Sequence, residues 1–187
     1  MFGAGPFGSM TLGGMPLTLK AALAPIDAET EHSLIEVVSF LDRRLLEGFH
    51  RKPELLKTMD RRQFEQLVAE IFDGFGYEVE LTQRTRDGGK DIIAVRRREI
   101  ETRLLIECKR PDPGNSVDVS IVRELLGVKV DDGASKAILA TTARLTRDAS
   151  AFVEKHRWEL EAAEYDRVVW WISEYLRSTS AGHIPQP

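Results

Sequence analysis

The sequence predicts an α/β fold, a central mixed sheet flanked by helices in the order αβββαβ. Three observations predict it. An amphipathic helical pattern over residues 60–74 leads into three strand-like runs joined by short connections. A second helical pattern then separates the third run from a short apolar run at Lys136–Ala140. Further helix, strand and helix patterns follow to residue 176. Short connections make neighbouring strands antiparallel, whereas a helical crossover makes them parallel, so the sheet must be mixed.

Each element has a local reason. Residues 1–25 hold five glycines and three prolines and read as a flexible leader. Residues 26–57 form an N-terminal helical extension, with Leu34, Val37, Val38, Leu41 and Leu45 at helical spacing and an end near Gly48. Pro53 to Lys57 adds one turn, with proline at an allowed first position. A main domain is expected over residues 58–177. It opens at Asp60, an N-cap with Gln63 three residues on, a variant of the capping box. Phe64, Leu67, Val68, Ile71 and Phe72 then recur at i, i+3, i+4, i+7 and i+8, and Gly74 or Gly76 ends the helix. Glu70 is expected to face solvent. Tyr77–Gln83 is the first strand, and Gly89–Arg97 and Glu101–Lys109 are the next two, around Arg98, Glu99 and Ile100. Val117–Val130 is helical, with Ile121, Leu125 and Val128 on its apolar face, and Leu145–His156 is a further helix. Trp158–Glu161 reads as a last strand and Tyr165–Leu176 as a closing helix, with residues 178–187 as a tail. Trp158, Trp170 and Trp171 are expected in the core.

Composition narrows the class. A chain of 187 residues, 42% hydrophobic and 30% charged, is ordinary for a soluble globular protein. The net charge of -4 argues against a generally basic binder of nucleic acid. Between Arg84 and Arg110, however, nine basic residues stand against five acids, a local excess that suits a polyanion. A solvated hairpin face is the competing reading for Arg96–Arg98. One cysteine, Cys108, rules out an intramolecular disulfide and suits a reducing compartment. The opening residues lack the charged start and apolar core of a secretory signal, and no apolar run approaches the ~20 residues of a membrane span. A cytoplasmic location without membrane association is the resulting expectation.

The chemistry concentrates in Asp87-Gly88-Gly89-Lys90-Asp91 and Glu107-Cys108-Lys109. Strand alternation points Glu107 and Lys109 the same way and Cys108 the other way, into the core. With a three-residue connection, Arg97 pairs with Glu101 and the ladder sets Asp91 opposite Glu107. Opposed residues have Cβ atoms about 5 Å apart, so the two carboxylates can share one cation. A one-residue slip would put them on opposite faces. Two such acids without a cation repel, and one tends to stay protonated. Hard oxygen ligands of this kind suit Mg²⁺ or Mn²⁺, and Lys109 beside them would stabilise negative charge.

These residues resemble the catalytic domain of the Mrr-like (type IV) restriction endonucleases, within the superfamily of nucleases that carry an Asp and then Asp/Glu-x-Lys. Further matching stretches are Phe64-Glu65, Gly76-Tyr77-Glu78-Val79, Lys109-Arg110, Val122-Arg123-Glu124-Leu125 with Gly127, and Ala137-Ile138-Leu139-Ala140-Thr141-Thr142. Many relatives have Gln where this chain has Glu107. The resemblance implies a restriction-endonuclease-like core and a metal-dependent DNA endonuclease with Glu65, Asp91, Glu107 and Lys109 as catalytic residues. It also implies a metal held by Asp91, Glu107 and the backbone carbonyl of Cys108. DNA is the expected partner, with a homodimer or a partner recognition subunit as a source of target choice. A structure-selective nuclease resembling junction resolvases, and a non-catalytic DNA-binding module on the same fold, are the alternatives. Gly88 and Gly89 either let a DNA backbone approach or form a hairpin turn. Arg123 and Glu124 read more naturally as a helix-face ion pair than as DNA contacts. Thr141 and Thr142 either contact phosphate or cap the next helix. His32, His50, His156 and His183 show no ligand spacing.

Overall fold

The structure, a computed structural model, describes residues 43–82 and 90–180. The leader, the N-terminal helical pattern up to residue 42, Asp87-Gly88-Gly89, His183 and the tail beyond residue 180 lie outside the described residues.

Helix α1 (Arg43–Arg51) is followed by a 3-10 turn (Pro53–Lys57) and α2 (Arg61–Gly74). Asp60 accepts from the Arg62 N–H, and Gln63 reaches back to the Asp60 N–H, so the expected capping box is complete. Strands β1 (Glu78–Leu81), β2 (Ile92–Arg96) and β3 (Thr102–Lys109) form an antiparallel meander. Helix α3 (Val119–Asp132) crosses to β4 (Lys136–Thr141), α4 (Arg147–Lys155) crosses to β5 (Leu160–Ala163), and α5 (Tyr165–Ser180) closes the chain. The sheet order is β1-β2-β3-β4-β5, with β3, β4 and β5 parallel. The mixed α/β sandwich expected from the sequence is the fold observed. After α3 the chain turns at Gly133, whose φ of 72° is the left-handed conformation that favours glycine at a helix C-terminus.

Two cores flank the sheet. One face packs Leu104 and Ile106 of β3 and Ile92 and Ala94 of β2 against α1, α2 and α5. The other packs Leu105 and Ile93 against α3 and α4 through Val122, Leu125 and Ala149. Each fully buried Leu, Ile or Phe contributes about 1.5–3 kcal/mol, and Phe64, Leu67, Ile71, Leu105 and Ile106 are all sealed from solvent.

Three expectations about burial are corrected. In α1, Leu46 and Phe49 face the core while Leu45 is exposed, and the helix runs past Gly48 to Arg51. Trp158 is 82% exposed and Trp170 46%, whereas Trp171 is buried. The α5 core stripe is Val168, Trp171, Ile172 and Tyr175, at i, i+3, i+4 and i+7, which leaves Trp170 off the stripe. The last strand starts at Leu160 instead of Trp158, so Trp158 sits in the preceding turn. Arg157 and Arg167 lie over the two exposed rings, 5.6 and 4.3 Å from their centroids. Glu70 is half-buried, and it accepts from the Tyr175 hydroxyl at 2.6 Å instead of facing solvent.

Candidate active site

The site forms at the C-terminal end of β3, where the meander meets the parallel half of the sheet. The register Ile92↔Ile106 through Arg96↔Thr102 is the one the three-residue connection predicted. Regular pairing stops one residue before Asp91. The Asp91 N–H donates to the Ile106 carbonyl at 3.0 Å, and the Asp91 carboxylate accepts from the Cys108 N–H at 2.7 Å. A side chain has thus taken the place of a ladder carbonyl. This turns the Asp91 carboxylate toward the end of β3 and fixes its orientation. From the other side, Thr82 donates its N–H to the Asp91 carbonyl at 2.9 Å and its hydroxyl to the Lys90 carbonyl at 2.7 Å.

Glu65 joins from α2. Its carboxylate accepts from Arg62 Nη1 at 2.8 Å, and the same nitrogen lies 3.3 Å from the Thr82 carbonyl oxygen. A continuous chain of bonds therefore links Glu65, Arg62, Thr82 and Asp91. Sequence reasoning missed Arg62 and Thr82. Arg62 was findable as the i−3 partner of Glu65 on one helix, but Thr82 needed the register.

Alternation on β3 sends Cys108 into the α2 and α5 core and places Glu107 and Lys109 on the opposite face. Glu107 is 6% exposed and ion-paired with Lys109. Its second oxygen, Oε2, is buried with no hydrogen-bond partner. Burial pushes the Glu107 carboxyl up to about 7; the bond from Lys109 pulls it down, and the Asp91 charge pushes it up again. Burial works against the Lys109 ammonium, but its bond to Glu107 and the charges of Glu107 and Asp91 hold its pKa above the usual value. The Cys108 thiol is raised by burial first and then by Asp91, Glu65 and Glu107, with Lys109 opposing. Cys108 thus feels all four predicted catalytic side chains at once, which converge on the end of β3.

Glu65, Asp91, Cys108 and Lys109 line one groove of about 880 Å³, together with Arg61, Arg110 and residues of the 111–121 segment. Glu107 does not line it and lies buried beside it. Among the described residues no three His, Cys, Asp or Glu side chains gather closely enough to hold a metal by themselves. Asp91 and Glu107 are hard oxygen donors of the kind that would suit a divalent cation with water completing its shell.

Other expectations fare differently. No ion pair joins Arg123 to Glu124 among the described residues, because adjacent helical positions do not face each other. Arg123 lies 5.6 Å over the Phe152 ring, while the Glu124 charge acts on Glu107 and Lys109. Thr141 closes a local turn by accepting from the Ala143 N–H at 3.1 Å, and Thr146, not Thr141 or Thr142, caps α4. His50 and His156 take Ser173 and Glu159 as neighbours and stand away from the groove. Four of the seven described basic residues between Arg84 and Arg110 are paired with acids. Lys90 and Arg103 both pair with Asp132, Arg97 pairs with Glu78 and Glu101, and Lys109 pairs with Glu107, while Arg96 covers the Tyr77 ring. Among the described residues no helix is long and apolar enough to cross a membrane.

Residues 56–172 match the model of the Mrr_cat family, described as restriction endonuclease. The uncharacterized protein y4cE of Sinorhizobium fredii (strain NBRC 101917 / NGR234) is 27% identical over 178 residues, covering 90% of this chain and 44% of that protein. Among solved structures, the DNA modification-dependent restriction endonuclease AspBHI is 19% identical with a TM-score of 0.48, covering 94% of this chain and 45% of that one. The MspJI restriction endonuclease, solved with a 27-mer oligonucleotide, is 15% identical with a TM-score of 0.46, covering 75% of this chain and 32% of that one. This chain spans less than half the length of each of these three relatives.

Proposed function

The chain belongs to the Mrr_cat restriction endonuclease family, and we propose that it is a Mg²⁺-dependent DNA endonuclease that hydrolyses phosphodiester bonds in restriction or defence against foreign or modified DNA. The observation that carries this reading is the buried, unpartnered Glu107 oxygen next to Lys109 and within the field of Asp91. An acid in that position is costly to keep unless its charge has work to do.

Asp91 and Glu107 would hold Mg²⁺ or Mn²⁺, with the Cys108 carbonyl as a further donor. A bound divalent cation lowers the pKa of a water and draws charge from a phosphate oxygen. The protein's own groups do the rest. The Cys108 N–H holds the Asp91 carboxylate in one orientation, and Thr82 fixes the main chain beneath it. Lys109 keeps its proton and presents a compact positive charge to the attacking water or the phosphate. Arg62 aims Glu65 into the same groove, where its carboxylate orients a polar group of the substrate or its water.

The test is cleavage of plasmid DNA, methylated and unmethylated, in Mg²⁺ and in EDTA. Cleavage is expected only with the metal, and Asp91→Ala and Lys109→Ala should each lose at least roughly a hundredfold in rate, as loss of a charge-stabilising group does elsewhere. Unchanged cleavage by both variants would refute the assignment.

A further inference from the structure

Arg110 follows Lys109 directly, yet the chemistry above makes no use of it. Its Nη1 donates to the Lys57 carbonyl at 3.0 Å, which ties the end of β3 to the 3-10 turn. Its Nε is buried without a hydrogen-bond partner. A guanidinium carries five N–H donors in a planar fork and accepts nothing. A buried donor left unmade carries a desolvation cost that is relieved when an acceptor arrives. Arg110 lines the groove together with Asp91 and Lys109; its buried Nε is set back from that surface, so a bound acceptor engages it through a shift of the guanidinium.

The charge of Arg110 is as telling as its unmade bond. Lys90, Arg97, Arg103 and Arg62 are each paired with a carboxylate. Among the described residues Arg110 bonds a neutral carbonyl and pairs with no carboxylate, so its positive charge stays available to the groove. Arg61, exposed at the start of α2, lines the same groove. Two guanidinium groups beside a phosphodiester-cleaving centre are suited to oxygens of a phosphate, which a planar fork grips in bidentate fashion.

We infer that Arg110, assisted by Arg61, is a positioning residue that holds a nucleic-acid phosphate next to the scissile one. The inference rests on the endonuclease reading and adds to it the register of the strand in the groove. The phosphate held by Arg110 is not the one attacked. Arg110 therefore acts on how the strand is placed, through binding, with little share in the bond-breaking step.

The experiment compares wild-type, Arg110→Gln, Arg110→Lys and Arg61→Gln as full chains. Steady-state cleavage of a linear duplex in Mg²⁺ gives KM and kcat, and anisotropy with Ca²⁺ gives affinity between roughly 50 and 200 mM KCl. Arg110→Gln should raise KM about tenfold with kcat within about threefold, a change of about 1.4 kcal/mol in binding. Its slope of log affinity against log salt should fall by about 0.9, one phosphate contact. Arg110→Lys should restore the slope but only part of the affinity, since it keeps the charge and lacks the Nε donor. Arg61→Gln should lower the slope with an unchanged melting temperature. An unchanged KM and salt slope in Arg110→Gln overturns the inference, as does a loss confined to kcat, while wild-type cleavage leaves the endonuclease reading standing. If Arg110→Gln does not fold, the salt slope of Arg61→Gln decides: a reduced slope supports the inference and an unchanged one overturns it. Wild-type protein that neither binds nor cuts DNA overturns both.

Discussion

Replacing Glu107 with Gln keeps the side chain's shape and removes its charge, which isolates the electrostatic strain at the site. In the metal-free protein, burial raises the Glu107 carboxyl from 4.5 to about 7 in spite of Lys109. Between those two values the folded protein keeps a proton that the unfolded chain has released. Stability therefore falls as pH rises through this window, the reverse of an acid stabilised by a salt bridge. Each pH unit is worth about 1.4 kcal/mol, so the whole window amounts to about 3 kcal/mol. Glutamine has no proton to lose and escapes this cost. Urea unfolding in EDTA near pH 4.5 and near pH 8 should show Glu107→Gln gaining about 3 kcal/mol on wild-type between the two. Adding Mg²⁺ at the higher pH should return most of the difference to wild-type and leave Glu107→Gln unmoved. Parallel stability profiles for the two proteins would show that Glu107 is not confined with Asp91 in a poorly solvated pocket, and the metal assignment would lose its main support.

Two further perturbations test the frame around the site. Asp132 is held at about 2 by hydrogen bonds from Arg103 and then Lys90. Its share of stability is present above pH 3.8 and lost as pH falls through 3.8 toward 2, so Asp132→Asn should flatten the acid limb of the unfolding curve there. An acid limb unchanged in that variant would refute the pairing. A Cβ on Gly74 would run into the Tyr175 ring, so Gly74→Ala should destabilise by about 1–3 kcal/mol through overpacking. Gly74 is the last residue of the helix, so the gain from alanine is at most the ~1 kcal/mol of a helix interior and is outweighed. A raised melting temperature would contradict the packing of α2 against α5.

Much of this protein is legible along the chain because its causes are local. The Asp60 and Gln63 cap and the Phe64, Leu67, Val68, Ile71 and Phe72 stripe depend on spacing within one helix. The separation of Cys108 from Glu107 and Lys109 follows from the two-residue period of a strand, and the meander register from a short connection. The parallel β3 and β4 follow from the helix between them. What the linear order could not supply were relations between residues far apart. Lys90 meets Asp132 across 42 residues, Tyr175 meets Glu70 across 105, and Arg110 meets Lys57 across 53. Each pairing depends on how two elements pack, which no periodicity encodes. The same holds for charge: nine basic residues counted in a row suggested an open patch, but the fold set acids against most of those it describes and left Arg110 facing the groove. Residue chemistry thus chose the type of site, while packing chose which charges remain there to act, because burial and distance, not sequence proximity, govern how strongly they are felt.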